Sequence, residues 1–249
     1  MISVSPNVEA LIEAAAELFV KSAQTAVDER GEFTVALAGG HSPKPLYMLL
    51  AQPRYSKQVP WENTHVFWGD ERCVPPDDPR NNATMAFQAL LSHVTMLPDH
   101  VHPIRCHESP ERGAKDYESI LAEHFLGTVP RFDLILLGLG QNGHTASLFP
   151  YTPILAERER WVKELFLPEE EVWRVSLTIP LINNGATVIF LAYGSEKSEI
   201  LRKVLEGPHE PNRYPAQFIK PVNGKLIWMI DSKAAGKLQS SLFTGAKHD

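Results

Sequence analysis

This chain of 249 residues has few cysteines and no excess of positively charged residues. Its two cysteines, Cys73 and Cys106, are too few for a disulfide scaffold, so we expect free thiols in a reducing compartment. Lysine and arginine number 24 against 30 aspartates and glutamates, which gives a formal net charge of −6. Non-specific nucleic-acid binding needs a basic face, so no nucleic-acid partner is expected. A local basic pocket for a small anion is compatible with this balance.

Long apolar runs without polar interruption are also missing. The longest stretch without Asp, Glu, Lys or Arg runs from Leu134 to Ala156, which is long enough to span a bilayer. It contains Asn142, His144 and two prolines, which would leave polar groups unsatisfied in lipid. The N-terminal segment lacks the basic start of a signal peptide. We therefore expect a cytoplasmic protein with no membrane partner, either a monomer or a weak homo-oligomer.

Apolar strands alternate with amphipathic helices along the chain. Strands are predicted at 33–38, 65–68, 133–137, 175–179, 187–193 and 225–231, and helices at 8–19, 46–50, 117–125 and 195–206. The Asn223-Gly224 pair predicts that the last strand is a hairpin or edge strand. Continuous apolar strands between helices favour a parallel sheet covered on both faces. The sequence predicts one α/β domain over residues 1–249.

Three loops follow predicted strands at the carboxyl ends, where open parallel sheets bind ligands. The first contains Gly39, Gly40, His41 and Ser42, with Ser42 as a helix cap before Pro43. Glycines allow backbone N–H groups to approach a ligand closely, and a helix start favours an anion. The loop is either a phosphate cradle or simply a tight turn. It does not match the Walker A pattern of nucleotide triphosphatases.

The second loop begins Gly69-Asp70-Glu71-Arg72, directly after a buried strand. Arg72 could grip a phosphate or carboxylate through two parallel N–H bonds. Asp70 could act as a general base or orient another base. The acidic residues of the loop lack the spacing of a calcium-binding EF-hand.

The third loop contains a literal G-x-G-x-x-G pattern from Gly138 to Gly143. A dinucleotide-binding fingerprint must open a sustained helix, but Pro150 follows too soon for one. We expect the glycines instead to bring His144 into an open crevice. An imidazole with an unperturbed pKa of about 6.5 can accept a proton from water at neutral pH. The alternative is a hydrogen-bonded structural histidine.

The remaining candidates carry weaker signals. Lys197 begins a predicted helix and could place a point charge on an anion, although such a lysine is often only solvated. The other histidines show no metal-binding spacing such as H-E-x-x-H, so no metal site is predicted. Neither Ser147 nor Cys73 has the surroundings of a nucleophile elbow, which disfavours covalent catalysis.

Together the loops resemble the 6-phosphogluconolactonase family. Two segments are the most specific, GDERCVPPDDP and GHTASLFP, and others match in family order between Phe33 and Asp231. The other segments are ALAGGHSPKPLYMLL, FDLILLGLGQNG, VSLTIPLIN, LAYGSEKSEIL and PAQFIKPVNGKLIWMID. The resemblance implies a Rossmann-like three-layer αβα sandwich with a mostly parallel sheet, related to glucosamine-6-phosphate deaminase. It also implies hydrolysis of 6-phospho-D-glucono-1,5-lactone to 6-phospho-D-gluconate, the second step of the oxidative pentose phosphate pathway, without metal or cofactor.

The resemblance also implies roles for individual residues. His144 matches the proposed general base, and Asp70 matches the acidic residue of the GDER segment. The turn of Gly39, Gly40 and Ser42 matches the one that faces the phosphate, and the cations Arg72 and Lys197 match those that hold the anionic end. We further expect backbone N–H groups of the Gly140–Gly143 turn to stabilise the oxyanion.

Two residues depart from the family pattern. Asn142 stands where an aspartate usually precedes the Gly-His pair, and an amide cannot stabilise an imidazolium by charge. His41 replaces a small residue after the double glycine and is itself a candidate phosphate ligand. Three other functions fit parts of the sequence: an amino-sugar phosphate deaminase, a non-catalytic sugar-phosphate sensor, and a nicotinamide dehydrogenase inferred from GLGQNG. The first would release ammonia, the second would bind without turnover, and the third would bind NADH.

Overall fold

The computed structural model describes residues 1–239. Its strands are β1 (Ile2–Ser5), β2 (Phe33–Leu37), β3 (Thr64–Trp68), β4 (Asp70–Arg72), β5 (Leu134–Gly138), β6 (Val162–Leu167), β7 (Val172–Leu177), β8 (Thr187–Ala192) and β9 (Lys225–Asp231). Its α-helices are α1 (Val8–Arg30), α2 (Lys44–Leu50), α3 (Pro53–Ser56), α4 (Asn82–Ala89), α5 (Pro110–His124), α6 (Ile179–Ile182) and α7 (Ser198–Leu205). Among the described residues, no helix is both long and apolar enough to cross a membrane.

Six strands form one parallel sheet in the order β1-β9-β8-β5-β2-β3. All five residues of β2 are buried, and β5 and β8 are nearly as enclosed, so both faces of the sheet are covered. This arrangement confirms the predicted α/β sandwich with a mostly parallel sheet. The extent of the domain over residues 1–249 stays a prediction, because residues 240–249 lie outside the described part.

Two predictions about strand position are wrong. The strand β9 is neither a hairpin arm nor an edge strand, because it pairs in parallel with β8 on one side and β1 on the other. The edge strand on that side of the sheet is β1, whose four residues are too short to show a period in the sequence. The predicted strand at 175–179 is β7, which belongs to a separate antiparallel sheet of order β4-β7-β6.

The predicted helix cap at Ser42 is also wrong. Helix α1 is capped by Asn7, whose Oδ1 accepts the N–H of Ala10 at 2.8 Å. Helix α2 starts at Lys44 with Pro43 at the cap position, so Ser42 does not cap it. The reason is that the three residues before Lys44 form a turn instead of entering the helix.

The two cysteines form a disulfide, contrary to the expectation of free thiols. The Cα atoms of Cys73 and Cys106 lie 4.9 Å apart across a sequence separation of 33 residues. Cys73 directly follows β4, and Cys106 lies in the segment before α5. A pair of cysteines carries no spacing motif, so only the fold could bring them together.

Candidate active site

The three loops meet in one cleft at the carboxyl ends of β2, β3 and β5. Seven of the predicted site residues line it: Gly39, Gly40, His41, Ser42, Asp70, Arg72 and His144. Asn142 and Lys197 are not among the lining residues, but each contacts the loop that carries His144. The cleft is therefore the meeting point that the parallel topology predicts.

The ring of His144 is fixed by contacts on two sides. Its Nδ1 lies 2.6 Å from Oδ1 of Asn142, and its plane stacks on Phe149 with the ring centroids 4.1 Å apart. Gly140 makes room for the ring, because a Cβ there would lie 2.1 Å from Nδ1 of His144. The local glycine pattern thus serves the histidine, and no helix follows within residues 139–149, as predicted.

The hydrogen bonds define which nitrogen of His144 carries the proton. The backbone N–H of His144 donates to Oδ1 of Asn142 at 3.1 Å, which identifies that atom as an acceptor. Nδ1 must then be the protonated nitrogen, and Nε2 is left with a free lone pair. Burial, followed by the positive charge of Arg174, lowers the pKa of His144 to about 4. The imidazole is therefore neutral at neutral pH.

Asp70 is buried and does not orient His144. Its Oδ2 accepts the hydroxyl of Ser147 at 2.6 Å and lies 3.7 Å from Nη1 of Arg174. The guanidinium of Arg174 also pairs with Glu170 and lies 5.3 Å from the centroid of the Phe149 ring. The ring of Phe149 therefore contacts both His144 and a buried cation.

Arg72 is held at the other side of the cleft. Its Nη1 donates to the carbonyl of Arg80 and to Oδ1 of Asn82, both at 2.8 Å, while its buried Nε has no partner among the described residues. Asn82 lies against Gly39, where a Cβ would come within 1.8 Å of its Oδ1. These contacts place Arg72 next to the glycine turn.

The glycine turn presents unused donors to the cleft. Over residues 1–239, the backbone N–H groups of the turn Gly39–Ser42 donate no hydrogen bond to protein. Gly40 adopts a left-handed conformation with φ of 81°, which a residue with a Cβ rarely does. Tyr193 supports the turn from behind, donating its hydroxyl to the carbonyl of Ser42 at 3.3 Å. Free N–H groups beside Arg72 suit an anion.

The expected oxyanion donors in the third loop are already engaged. The N–H of Gly140 donates to the carbonyl of His144 at 2.9 Å, and the N–H of Gly143 donates to the carbonyl of Gly140 at 3.0 Å. These two bonds close the turn, so the N–H groups of Gly140 and Gly143 are not available to a substrate. That prediction is therefore wrong for both glycines.

Lys197 supports the third loop from outside the cleft. Its Nζ donates to the carbonyl of Leu139 at 2.8 Å, and burial lowers the pKa of its ammonium group. This bond fixes the strand end that leads to His144. Direct contact of Lys197 with an anion stays a prediction.

The sequence reasoning missed four residues of the site. Arg174 and Glu170 line the cleft from the second sheet, Asn82 lines it from α4, and Glu71 lies behind it. The carboxylate of Glu71 accepts the N–H groups of Arg72, Asn82 and Ala83, and burial raises its pKa to about 7. One signal was available: Arg174 is the single charge in the apolar segment VWRVSL.

Comparisons with known proteins show which family the chain resembles. A family described as glucosamine-6-phosphate isomerases/6-phosphogluconolactonase matches residues 6–228. A 6-phosphogluconolactonase from Synechocystis sp. is 43% identical over 94% of this chain and 96% of its own length. A 6-phosphogluconolactonase from Nostoc sp. is 37% identical over 95% of this chain and 98% of its own length. The solved structure of 6-phosphogluconolactonase from Trypanosoma cruzi superposes with a TM-score of 0.82 at 30% identity, covering 96% of both chains.

Proposed function

The chain belongs to the family of glucosamine-6-phosphate isomerases and 6-phosphogluconolactonases, and on this premise we propose how its cleft works. The protein is a carboxylic ester hydrolase that converts 6-phospho-D-glucono-1,5-lactone to 6-phospho-D-gluconate. The observation that carries the mechanism is the bond from Nδ1 of His144 to Asn142, which leaves Nε2 as the base. In this proposal the cleft has a lactone end and a phosphate end, which the contacts of the His144 ring, the ion pairs and the glycine turn define.

The lactone end is formed by His144 and Arg174, which both contact Phe149. Nε2 of His144 takes a proton from a water molecule while the water oxygen attacks the lactone carbonyl carbon. The bond from that carbon to the ring oxygen then breaks, and the imidazolium returns the proton to the departing ring oxygen. Positioned proton transfer of this kind is worth about 10²–10⁴-fold in rate.

Arg174 is the group best placed to stabilise the negative charge on the carbonyl oxygen. It is buried, so its charge acts in a medium of lower dielectric than water, and one such donor is worth roughly 10²–10³-fold. Its own position is held by Asp70 and Glu170. Asp70 thus contributes to the reaction by holding Arg174.

The phosphate end is formed by the Gly39–Ser42 turn and Arg72. The free N–H groups of the turn supply donors to a phosphate, and the guanidinium of Arg72, which lines the same cleft, supplies positive charge. His41 is an exposed residue of this turn and supplies a further ring N–H donor. Binding the remote phosphate orients the lactone carbonyl toward His144.

The test is hydrolysis of freshly prepared 6-phosphoglucono-δ-lactone by the wild type and by His144→Gln. The exposed His93→Gln serves as the matched control. We expect the wild type to hydrolyse the lactone well above the uncatalysed background. His144→Gln should lower kcat by about 10²-fold or more, and His93→Gln should leave it unchanged. Full activity in His144→Gln would remove the proposed base. Ammonia release from glucosamine 6-phosphate would favour a deaminase instead.

The phosphate end is tested with the lactone that lacks the phosphate. We expect Arg72→Met to raise KM for the phosphorylated lactone about 10-fold or more, since it removes a charge-assisted contact. The same change should leave kcat/KM for glucono-δ-lactone unaltered. An equal loss on both substrates would place Arg72 at the lactone end.

A further inference from the structure

A second cluster of titratable side chains lies at the amino end of β3, opposite the cleft. His65 is the second residue of that strand, whose carboxyl end leads to Asp70. His102 is brought alongside by the N–H of its own backbone, which donates to the carbonyl of Val66 at 2.8 Å. His124 is the last residue of α5. Three separate segments therefore converge on one point.

The ring nitrogens of these three residues are close enough to share one ion. Nδ1 of His65 lies 3.4 Å from Nε2 of His102, and one nitrogen from each of the three rings lies within 4.8 Å of the others. A tetrahedral zinc ion with bonds of about 2.0–2.1 Å holds its ligands about 3.3–3.4 Å apart. One pair already has that spacing.

The cluster also contains polar atoms that lack partners. Nε2 of His124 is buried and makes no hydrogen bond within the described chain. The same is true of Nδ1 of the adjacent His100. Buried polar atoms are nearly always bonded, so an atom left unpaired calls for a ligand. A metal ion would occupy the lone pair on Nε2 of His124.

Glu32 supplies the negative charge that such a site needs. Its two carboxylate oxygens lie 3.8 Å from Nε2 of His124 and 3.8 Å from Nε2 of His65. Glu32 is about half exposed and can turn toward an ion.

Aromatic packing holds the rings before any ion arrives. Phe67 stacks on His102 with the ring centroids 4.4 Å apart, and Phe125 lies edge-on to His124 at 4.9 Å. Side chains held in place by packing lose less entropy when they bind. The same packing shields one side of the cluster from water.

We propose that His65, His102 and His124, with Glu32 as the fourth ligand, form a binding site for a divalent transition-metal ion of the zinc class. Three imidazole ligands suit zinc, copper, iron and nickel better than calcium or magnesium. The site is separate from the cleft and stabilises the fold by joining α5, β3 and the segment before β2. Its residues are far apart in the sequence, so no sequence motif predicts the site.

The test uses untagged full-length protein that has been dialysed against a chelator. Zinc chloride is titrated in by calorimetry, and cobalt chloride is titrated in with absorption spectroscopy. We expect one ion per chain and the intense visible bands of tetrahedral cobalt. His102→Gln and His124→Gln should each weaken zinc binding at least about 10-fold, whereas the exposed His93→Gln should not.

Thermal unfolding gives the second readout. Zinc should raise the midpoint of the wild type and of His93→Gln but not that of the two cluster variants, since only a ligand bound to the native state stabilises it. Circular dichroism of the metal-free variants checks folding, and Glu32→Gln replaces any variant that fails to fold. Absence of saturable binding, equal binding by the cluster variants, or a weak octahedral cobalt spectrum would each overturn the proposal.

Discussion

The imidazole of His144 donates its Nδ1–H to Oδ1 of Asn142 across 2.6 Å. The same oxygen accepts the backbone N–H of His144, so one amide fixes both the orientation and the tautomer of the ring. An aspartate at this position would do the same and add a negative charge. Asn142 therefore keeps the positioning role without strengthening the base.

The first prediction concerns the replacement Asn142→Asp. The wild type should lose kcat/KM only as pH falls through about 4, because below that value the imidazole of His144 is protonated. A carboxylate beside the ring favours the imidazolium and raises the pKa by about one to three units. The acid limb should then move to higher pH. Profiles of kcat/KM between pH 3.5 and 7.5 measure this shift.

The control for that experiment is Asn223→Asp, an exposed position before the amino end of β9. It introduces the same charge at the end of the sheet away from the cleft. Superimposable profiles for the wild type and Asn142→Asp would show that His144 is not the titrating base.

The second prediction separates the two arginines of the cleft. Arg174→Met should lower kcat by about 10²-fold on both the phosphorylated lactone and glucono-δ-lactone, because it removes charge from the carbonyl oxygen. It should also raise the pKa of His144, which the guanidinium now depresses. Ring titration by NMR and steady-state kinetics measure the two effects.

Folding must be checked for Arg174→Met. Removing one partner of a buried ion pair leaves Asp70 uncompensated, which costs about 3–5 kcal/mol of unfolding free energy. Arg174→Lys keeps the charge and should recover part of kcat. A variant that changes only KM for the phosphorylated lactone would move Arg174 to the phosphate end.

How far the sequence leads can be judged from three residues. His144 and Arg72 lie in segments that follow apolar parallel strands, so the rule for parallel sheets places them in the cleft. Arg174 could not be placed, because its strand β7 is apolar like the parallel strands yet pairs antiparallel with β4 and β6. Sequence periodicity identifies a strand, but it does not identify the sheet to which the strand belongs.

The same limit explains the other missed features. The sequence shows that Asn142 departs from the family pattern, but only the folded structure shows that its oxygen contacts the ring of His144. Residues 65, 102 and 124 are brought together by long-range packing that leaves no spacing signature. The chemistry of a short motif can be predicted from the sequence, whereas contacts between distant segments depend on the whole fold.

The third prediction compares two neighbouring glycines. A methyl group at Gly39 would collide with Asn82, and Asn82 holds Arg72, so Gly39→Ala should raise KM for the phosphorylated lactone severalfold. Gly40→Ala meets no atom within 4 Å, and its left-handed backbone should cost roughly 1–2 kcal/mol of stability without moving Arg72. Kinetics and urea unfolding of both variants distinguish the two effects. If Gly40→Ala alone raised KM, phosphate binding would depend on the turn and not on Asn82.

The fourth prediction concerns the disulfide between Cys73 and Cys106. Reduction should lower the free energy of unfolding by about 3–4 kcal/mol, the chain-entropy value for a separation of 33 residues. KM should change little, because Arg72 is held by Asn82 and the carbonyl of Arg80, not by the sulfur bridge. Urea unfolding with and without dithiothreitol measures the first effect, and Cys73→Ser/Cys106→Ser should be indifferent to the reductant. A large rise in KM on reduction would instead mean that the bridge holds the phosphate end in place.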